Sequence, residues 1–211
     1  MEKTYVIGGV VCRERSVSAE IIAPSGEIKK VRLTPKMWDS HGVGSGDVIS
    51  REAFRAILDD SEKCGAVTKA LSLLTGAPHS YRALSEKLKK SGFGEDAVNS
   101  ALLLVRKRGL IDEESDAAAG ALRLASKSRR GPSRVKSDLM HKGYPASVAA
   151  KAASSVPDGI YRKALDELIA RKCRAGVPEE RSERDKLIAS LTRAGFSPRV
   201  ALEALESNDV T

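Results

Sequence analysis

The chain has 211 residues, enough for one large domain or two modest ones, and its hydrophobic content of 41% can supply a buried core. Aromatic residues make up only 4%, and the abundance of Ala and Leu favours small helical units stacked on their neighbours. A formal net charge of +8 suggests an anionic partner, and the lack of any run of about 18 apolar residues excludes a transmembrane helix.

The N-terminal sequence and the cysteines lead us to expect a cytoplasmic protein. The first residues, MEKTYVIGGVVCRER, carry charge too early for a secretory signal. Cys12, Cys64 and Cys173 are odd in number, far apart and without the CxxC spacing of many zinc sites. We therefore expect reduced thiols, no disulfide framework, no metal site and no cofactor.

Residues 4–34 predict three antiparallel β-strands, because β-rich segments alternate with glycine-containing turns. The segments lie near residues 5–7, 18–22 and 28–33. Ser25 and Gly26 form the predicted turn between the second and third strands, and Gly8 and Gly9 predict a bulge or a break in the first. A meander of this size is marginal alone, so we expect it to pack on another element.

Two helices are predicted after the strands. Residues 35–38 favour a short helix with Trp38 as a core anchor, and Ser50 is the predicted N-cap of a helix that turns Phe54 inward. We interpret residues 1–65 as a small N-terminal domain. A separate helix, from Ala66 to Leu74, is predicted to begin the rest of the chain.

The remainder carries a repeated pattern of two apolar residues four positions apart, followed by a glycine and an aromatic residue. The three copies are Leu84, Leu88, Gly92 and Phe93; Val135, Leu139, Gly143 and Tyr144; and Leu187, Leu191, Gly195 and Phe196. Apolar residues at this spacing share one helix face, and the glycine suits a helix C-terminus. The period predicts three tandem three-helix units in an elongated curved array, over residues 66–111, 112–157 and 158–211. The fold class is therefore mainly α, preceded by a small antiparallel β segment.

Polar residues before each copy of the pattern predict where its helix begins. Ser80 and Ser133 are the predicted N-caps of the first two pattern helices. Ser182 and Asp185 have the spacing of a capping box before the third. The first helix of the second unit is predicted over residues 116–128.

Positive charge is concentrated in the middle of the chain. Residues 66–150 hold fifteen Lys and Arg against eight Asp and Glu, which favours nucleic acid as the anionic partner. A solvated surface that keeps the protein soluble is the alternative. The candidate contacts to DNA or to a nucleoprotein filament are Lys89, Lys90, Arg106, Lys107, Arg108, Lys127, Arg129, Arg130, Arg134, Lys136 and Lys142.

Three of these residues stand out by their position. Arg129, Arg130 and Arg134 surround a predicted helix N-terminus, where the helix dipole disfavours cations. Their guanidinium groups suit phosphate or carboxylate groups. Arg106 and Lys107, by contrast, precede a helix end at Gly109, where the dipole favours cations and no ligand needs to be invoked.

The residues between and within the repeats resemble the RecX family. The similar motifs are Gly109-Leu110-Ile111-Asp112, Gly131-Pro132-Ser133-Arg134-Val135 with Leu139 and Lys142-Gly143, Leu191 with Gly195-Phe196, and, near the N-terminus, Gly46-Asp47-Val48-Ile49. The resemblance covers about residues 66–206, and the family is built from three tandem three-helix units. One departure lies at Ser115-Asp116-Ala117, where the family usually has an aromatic residue followed by Ala. An anchor of the second unit is therefore missing.

The resemblance implies a non-enzymatic regulator of the RecA recombinase. Members lie in the groove of the recombinase filament on single-stranded DNA and restrain its growth, its ATP hydrolysis and its recombination activity, which implies roles in DNA repair and the SOS response. The expected partners are the RecA filament and, weakly and without sequence preference, single-stranded DNA. We expect a monomer with no membrane contact. The family has no catalytic signature and no defined contact motif, so the eleven candidate residues rest on charge alone.

Two alternatives to a filament regulator remain. A protein that acts on DNA directly is favoured by the clustered Lys and Arg, although few aromatic residues can stack on bases. An enzyme has little support, because His41, His79 and His141 share no ligand spacing with Cys or acidic residues. No phosphate-binding loop, GxSxG sequence or paired-carboxylate motif is present.

Overall fold

The computed structural model describes residues 4–173, 176, 178 and 180–208 of the chain. The elements in chain order are β1 (Tyr5–Arg13), β2 (Ser16–Ile22), β3 (Ile28–Leu33), α1 (Pro35–His41), β4 (Val48–Ile49), α2 (Arg51–Gly76), α3 (Tyr81–Lys90), α4 (Glu95–Lys107), α5 (Glu113–Ser126), α6 (Pro132–His141), α7 (Ala146–Ser154), α8 (Asp158–Lys172), α9 (Arg181–Arg193) and α10 (Pro198–Asn208). This confirms the predicted fold class, mainly α with a small antiparallel sheet at the N-terminus. The chain forms two compact units: unit 1 is residues 1–78 with 84–110, and unit 2 is residues 79–83 with 111–211.

The sheet of unit 1 has four strands, one more than the sequence predicts, in the order β3-β2-β1-β4. The added strand β4 pairs with β1 through Tyr5 with Ile49 and Val6 with Val48. Two residues are too few for an alternating pattern to appear, which is why this strand was not predicted. The register of β1 against β2 shifts between Ile7 and Val10, so the bulge predicted at Gly8 and Gly9 is confirmed.

One face of the sheet is buried against α1 and the first half of α2. Trp38 is 5% exposed, which confirms it as a core anchor. The rings of Tyr5 and Phe54 stack with their centroids 4.0 Å apart. Ser50 caps α2 as predicted, because its Oγ accepts a hydrogen bond from the Ala53 amide at 3.2 Å. The core residues of this cluster are Ile7, Val17, Ala19, Ile21, Val31, Leu33, Trp38, Ile49, Phe54 and Ile57.

Helix α2 is continuous over 26 residues, whereas the sequence predicts two helices that meet near Ala66. Its first half buries Phe54 and Ile57 with the sheet, and its second half buries Ala66 and Ala70. It contacts both β3 and α4. A Cβ atom at Gly65 would lie 3.1 Å from the ring of Phe93. Because Gly65 has no side chain, the Phe93 ring can pack against α2 at this position, and the helix continues through it.

The three copies of the repeated pattern form α3, α6 and α9, and all three end in the same way. The apolar residues of each copy are buried. The glycines at positions 92, 143 and 195 have φ angles of 91°, 88° and 104°, in the left-handed region that glycine tolerates. The amide of the following aromatic residue then donates to the carbonyl of the second apolar residue, over 3.2–3.4 Å. This six-residue closure is the Schellman motif, which satisfies a carbonyl at the helix end.

Among the helix starts predicted after α2, one is confirmed and three are wrong. Ser80 caps α3, with its Oγ accepting from the Ala83 amide at 3.1 Å. Helix α6 has Gly131 as its N-cap, not Ser133, because Pro132 takes the first helical position. Helix α9 starts at residue 181 after Glu180, so Ser182 is not its cap. Helix α5 starts three residues before the prediction, since the side chain of Asp112 accepts from the Ser115 amide at 3.0 Å.

The core of unit 2 is rich in alanine. The side chains at its centre come from α5 to α10, and Tyr161 donates a hydrogen bond from its hydroxyl to the Ala153 carbonyl at 2.8 Å. Asp116 stands where the RecX family usually has an aromatic residue, and it is partly buried. Burial, followed by the nearby Asp112 carboxylate, raises the pKa of Asp116 above its ordinary value.

Candidate functional site

The eleven predicted contact residues are divided between the two units. Lys89, Lys90, Arg106, Lys107 and Arg108 belong to unit 1, and Lys127, Arg129, Arg130, Arg134, Lys136 and Lys142 belong to unit 2. We name these the unit 1 basic group and the unit 2 basic group. The local structure around the side chains differs between the two groups.

The unit 1 basic group lies at two helix C-termini. Lys89 and Lys90 are the last residues of α3, and Arg106 and Lys107 lie in the last turn of α4, with Arg108 as its C-cap. Cations at these positions interact favourably with the exposed carbonyls of the helix end. All five side chains are solvent-exposed, and the Lys89 Nζ lies 3.4 Å from the Glu95 carboxylate. An exposed ion pair of this kind is weak, so it leaves Lys89 able to meet another anion.

Arg129 anchors the loop between α5 and α6 to α8. Its Nε donates to the Glu167 carboxylate over 2.6 Å, and both side chains are 38% exposed. Its φ angle is 51°, which is uncommon for a residue other than glycine and needs support from its surroundings. The ion pair and the hydrogen bond from the Arg130 amide to the Leu124 carbonyl, 3.1 Å long, supply that support.

Arg130 and Arg134 share a second carboxylate. The Nε atoms of Arg130 and Arg134 lie 3.7 Å and 2.9 Å from the Asp138 carboxylate, whose side chain is 20% exposed. The Arg130 Nε is buried and has no hydrogen-bond partner within the described residues. The three guanidinium groups expected to bind phosphate therefore each face a protein carboxylate. Their geometry is that of residues that hold the loop and the start of α6.

The lysines of the unit 2 basic group are left facing solvent. Lys127 is the C-cap of α5, Lys136 lies on α6 and Lys142 is the C-cap of α6. All three are exposed, and no carboxylate of the described residues forms an ion pair with them. Within the unit 2 basic group, these are the ammonium groups that can approach a phosphate without first leaving an ion-pair partner.

Close contacts between repeats are made at both ends of α6, near Lys142 and at Gly131. The Lys142 carbonyl accepts a hydrogen bond from the Ser80 Oγ at 2.9 Å. A Cβ at Gly143 would lie 2.6 Å from the Ser80 Oγ. One repeat later, the Gly131 amide donates to the Ala194 carbonyl at 2.8 Å. A Cβ at Gly131 would overlap the Gly195 carbonyl and lie 2.6 Å from the Phe196 amide nitrogen.

These contacts are not predictable from the repeated pattern, in which the glycine at 143 or 195 is explained by the helix end alone. One signal for them was present in the sequence. Each of these glycines is matched by a small residue just before the pattern helix of the preceding repeat: Ser80 for Gly143, and Gly131 for Gly195. Both pairs let one repeat approach the next closely, through the Ser80 hydroxyl in the first pair and through backbone atoms in the second. The glycines therefore serve as contact points as well as helix ends.

The described residues offer no cluster of His, Cys, Asp and Glu that could hold a metal ion. His41 lies 3.2 Å from the Asp60 carboxylate within unit 1, and the Nδ1 of the exposed His141 lies 2.8 Å from the Ser137 carbonyl. No helix in the described part of the chain is long and apolar enough to cross a membrane.

Comparison with known proteins identifies relatives that match about two thirds of the chain. A family sequence profile described as RecX, first three-helix domain, matches residues 66–102. A regulatory protein RecX of Streptomyces coelicolor is 31% identical over 153 residues, which cover 70% of this chain and 78% of that protein. A regulatory protein RecX of Chlorobaculum tepidum is 27% identical over 139 residues, 66% of this chain and 85% of that protein.

Solved structures share the fold. A crystal structure of regulatory protein RecX superposes with a TM-score of 0.73 over 96% of this chain and 99% of that one, at 19% identity. A crystal structure of RecX from Lactobacillus salivarius gives a TM-score of 0.61 over 71% of this chain and 98% of that one, at 20% identity. At such identities the structures support the fold, and the sequence relatives carry the family assignment. The chain belongs to the RecX family of regulatory proteins.

Proposed function

We propose that this protein is a non-enzymatic regulator of the RecA recombinase. In this proposal it binds the RecA filament formed on single-stranded DNA and restrains filament growth, ATP hydrolysis and recombination. The observation that carries the proposal is membership of a family whose relatives are named regulatory proteins, one of them 31% identical over 70% of this chain.

The side chains of the two basic groups fit a partner that combines protein and nucleic acid. Exposed lysines on helix ends offer mobile point charges, which attract phosphates without reading a sequence. Such contacts contribute affinity that falls as salt rises. We assign most of the binding free energy to contacts with the recombinase, and we assign to the basic groups an additional attraction to the DNA inside the filament.

The alternative function is direct, sequence-independent binding to DNA. The exposed Lys127, Lys136 and Lys142 favour it. The aromatic residues disfavour it: the chain has one Trp, four Tyr and three Phe, all in the described residues, and none of the eight is exposed. Proteins that hold single strands alone usually stack bases on exposed rings, each stack contributing about 1–3 kcal/mol. We therefore expect weak, salt-sensitive binding to bare DNA.

ATP hydrolysis distinguishes the two functions. The protein is titrated into RecA on single-stranded DNA, and its binding to the same DNA without RecA is measured at the same salt. Loss of hydrolysis at protein concentrations too low to bind DNA alone supports the filament as the target. Inhibition that appears only where the bare strand is already occupied supports competition for DNA and rejects the proposal.

A further inference from the structure

Unit 1 contains a cleft of about 1400 Å³ between its sheet and the helices that follow. The sheet contributes mainly the face opposite its buried core, where Ser16, Ser18 and Glu20 alternate along β2 with the buried Val17 and Ala19, and the core residues Ala19, Val31 and Leu33 also reach the cleft. The second half of α2 and part of α4 form the other wall. Pockets for small ligands usually measure about 300–1,000 Å³, so this space suits a segment of a larger molecule.

The walls of the cleft are apolar. Val11 on β1 is 55% exposed and pairs with Ser18 of β2 on this face of the sheet. Val67, Phe93 and Leu104 line the opposite wall. Ile22 and Ile28 pair across β2 and β3 and extend the same sheet face with further exposed apolar surface. Contiguous exposed apolar surface with polar residues around it is typical of a binding site.

The lining charges are mostly positive. Arg15, Lys30, Arg32, Lys63 and Lys69 contribute cations, and Glu20 contributes the one carboxylate among the described lining residues. Glu20 pairs with Lys30 at 3.3 Å, and Lys63 pairs with Asp60 at 3.0 Å. Among the described residues, no carboxylate forms an ion pair with Arg15, Arg32 or Lys69. An occupant with negative charges would satisfy all three.

We infer that this cleft binds an acidic peptide segment of a partner protein, with apolar side chains between its carboxylates. The apolar walls and the surplus of cations match such a segment in both respects. Single-stranded DNA matches the charge alone, because Phe93 is the one aromatic residue among the described lining residues and its ring lies against Gly65. Bases would have no exposed ring on which to stack.

The edge of the sheet indicates how the segment is held. Strand β3 is an edge strand, and such strands often bind a peptide as an added strand. Here the Arg32 amide already donates to the Ser61 Oγ of α2 at 2.9 Å, so α2 covers this part of the edge. The segment is therefore held by side chains across the sheet face, between Val11 and α2.

This site is separate from the proposed filament contacts. None of the cations lining the cleft belongs to the unit 1 or unit 2 basic groups, and peptide binding can be measured with neither RecA nor DNA present. The failure of one proposal therefore leaves the other standing.

The test is fluorescence anisotropy of a short fluorescein-labelled peptide of Asp, Glu, Leu and Phe, titrated with the full chain. The controls are a peptide with Lys in place of the acidic residues, a peptide with Ser in place of the apolar residues, and labelled oligo(dT). We expect the acidic apolar peptide to bind best. The double variant Arg15→Glu with Lys69→Glu should weaken its binding about tenfold, and Val11→Ser should weaken it about threefold.

The matched control is Arg51→Glu with Arg55→Glu, which changes the charge equally on exposed residues of α2 outside the cleft. It should leave peptide binding within about twofold. Equal loss in both double variants would overturn the inference, because attraction would then reflect net charge. Failure of the acidic apolar peptide to bind would also overturn it. So would tighter binding of oligo(dT) than of the peptide, if the Arg15→Glu and Lys69→Glu variant then loses oligo(dT) binding. Circular dichroism of each variant verifies that the fold is intact.

Discussion

At the scale of single residues, the positions that matter most are those where backbone meets backbone. Gly131 has an ordinary φ angle of −74°, so its need for glycine comes from space and not from conformation. Its amide donates to the Ala194 carbonyl, and the Gly195 backbone occupies the place where its side chain would lie. A side chain there can be accommodated only if two repeats move apart.

We predict that Gly131→Ala lowers the free energy of unfolding by about 2–3 kcal/mol, as overpacking in a rigid contact does. The matched control is Gly159→Ala in α8, where an added Cβ meets nothing within 4 Å. That change should stabilise the protein by about 0.5–1 kcal/mol through the unfolded state. Urea unfolding measures both. Equal stability of the two variants would disprove the role assigned to the contact.

The ion pair of Arg129 leads to a second prediction at this scale. Glu167→Gln removes the carboxylate that holds the guanidinium group, and since both side chains are 38% exposed, the loss of stability should stay below about 1 kcal/mol. The released guanidinium group should raise affinity for single-stranded DNA about twofold to threefold. Glu203→Gln, which removes the partner of Arg199, is the control for the change in net charge. An increase no larger than that of the control would mean that Arg129 was already available to DNA.

At the scale of elements, the sequence allowed the repeats to be predicted but not their connections. Leu84 and Leu88 with Gly92 identify a helix and its end from spacing alone, because both depend on neighbours in sequence. The Phe93 ring packs against α2 at Gly65, and β4 pairs with β1 more than forty residues away, so both features involve residues distant in sequence. Likewise Glu167 lies 38 residues from Arg129. Charge alone therefore could not distinguish a structural arginine from one available to a ligand.

Asp116 on α5 allows a test of the departure from the family pattern. Its pKa in the folded state is raised, so the folded protein favours the protonated carboxyl and ionisation favours the unfolded state. The stability contributed by the protonated carboxyl of Asp116 is therefore lost as pH rises through the folded-state pKa. Asp116→Asn should therefore unfold at higher urea than the parent at pH 7 and should show less decline in stability between acidic and neutral pH. Asp39→Asn, at an exposed position of α1, is the control. If the stability of Asp116→Asn declines with pH as much as that of the parent protein, the ionisation of Asp116 is not the cause of the decline.

At the scale of the whole molecule, the proposed function depends on which exposed charges would meet the DNA in a filament. Lys127, Lys136 and Lys142 face solvent without an ion pair among the described residues, whereas the three nearby arginines contact Glu167 and Asp138. The lysines are therefore the stronger candidates for phosphate contact. The arginines contribute mainly to holding the loop that carries Lys127.

We predict that changing Lys127, Lys136 and Lys142 to Gln reduces the slope of log K against log salt, measured on single-stranded DNA, by about 2. The same change at Lys163, Lys172 and Lys186, which are exposed lysines of unit 2 outside the basic group, should leave the slope nearly unchanged. Equal reductions would assign the salt dependence to net charge, and no reduction would remove these lysines from the interface.

The most direct test of the central claim compares the filament with the bare strand as targets. Fluorescently labelled protein is titrated with RecA filaments assembled on single-stranded DNA with a slowly hydrolysed ATP analogue, and separately with the same strand alone at the same salt. We expect the protein to bind the filament at least about tenfold more tightly than the strand, a difference of about 1.4 kcal/mol. Equal affinity for filament and strand would contradict it, because the protein would then recognise DNA and not the recombinase assembled on it.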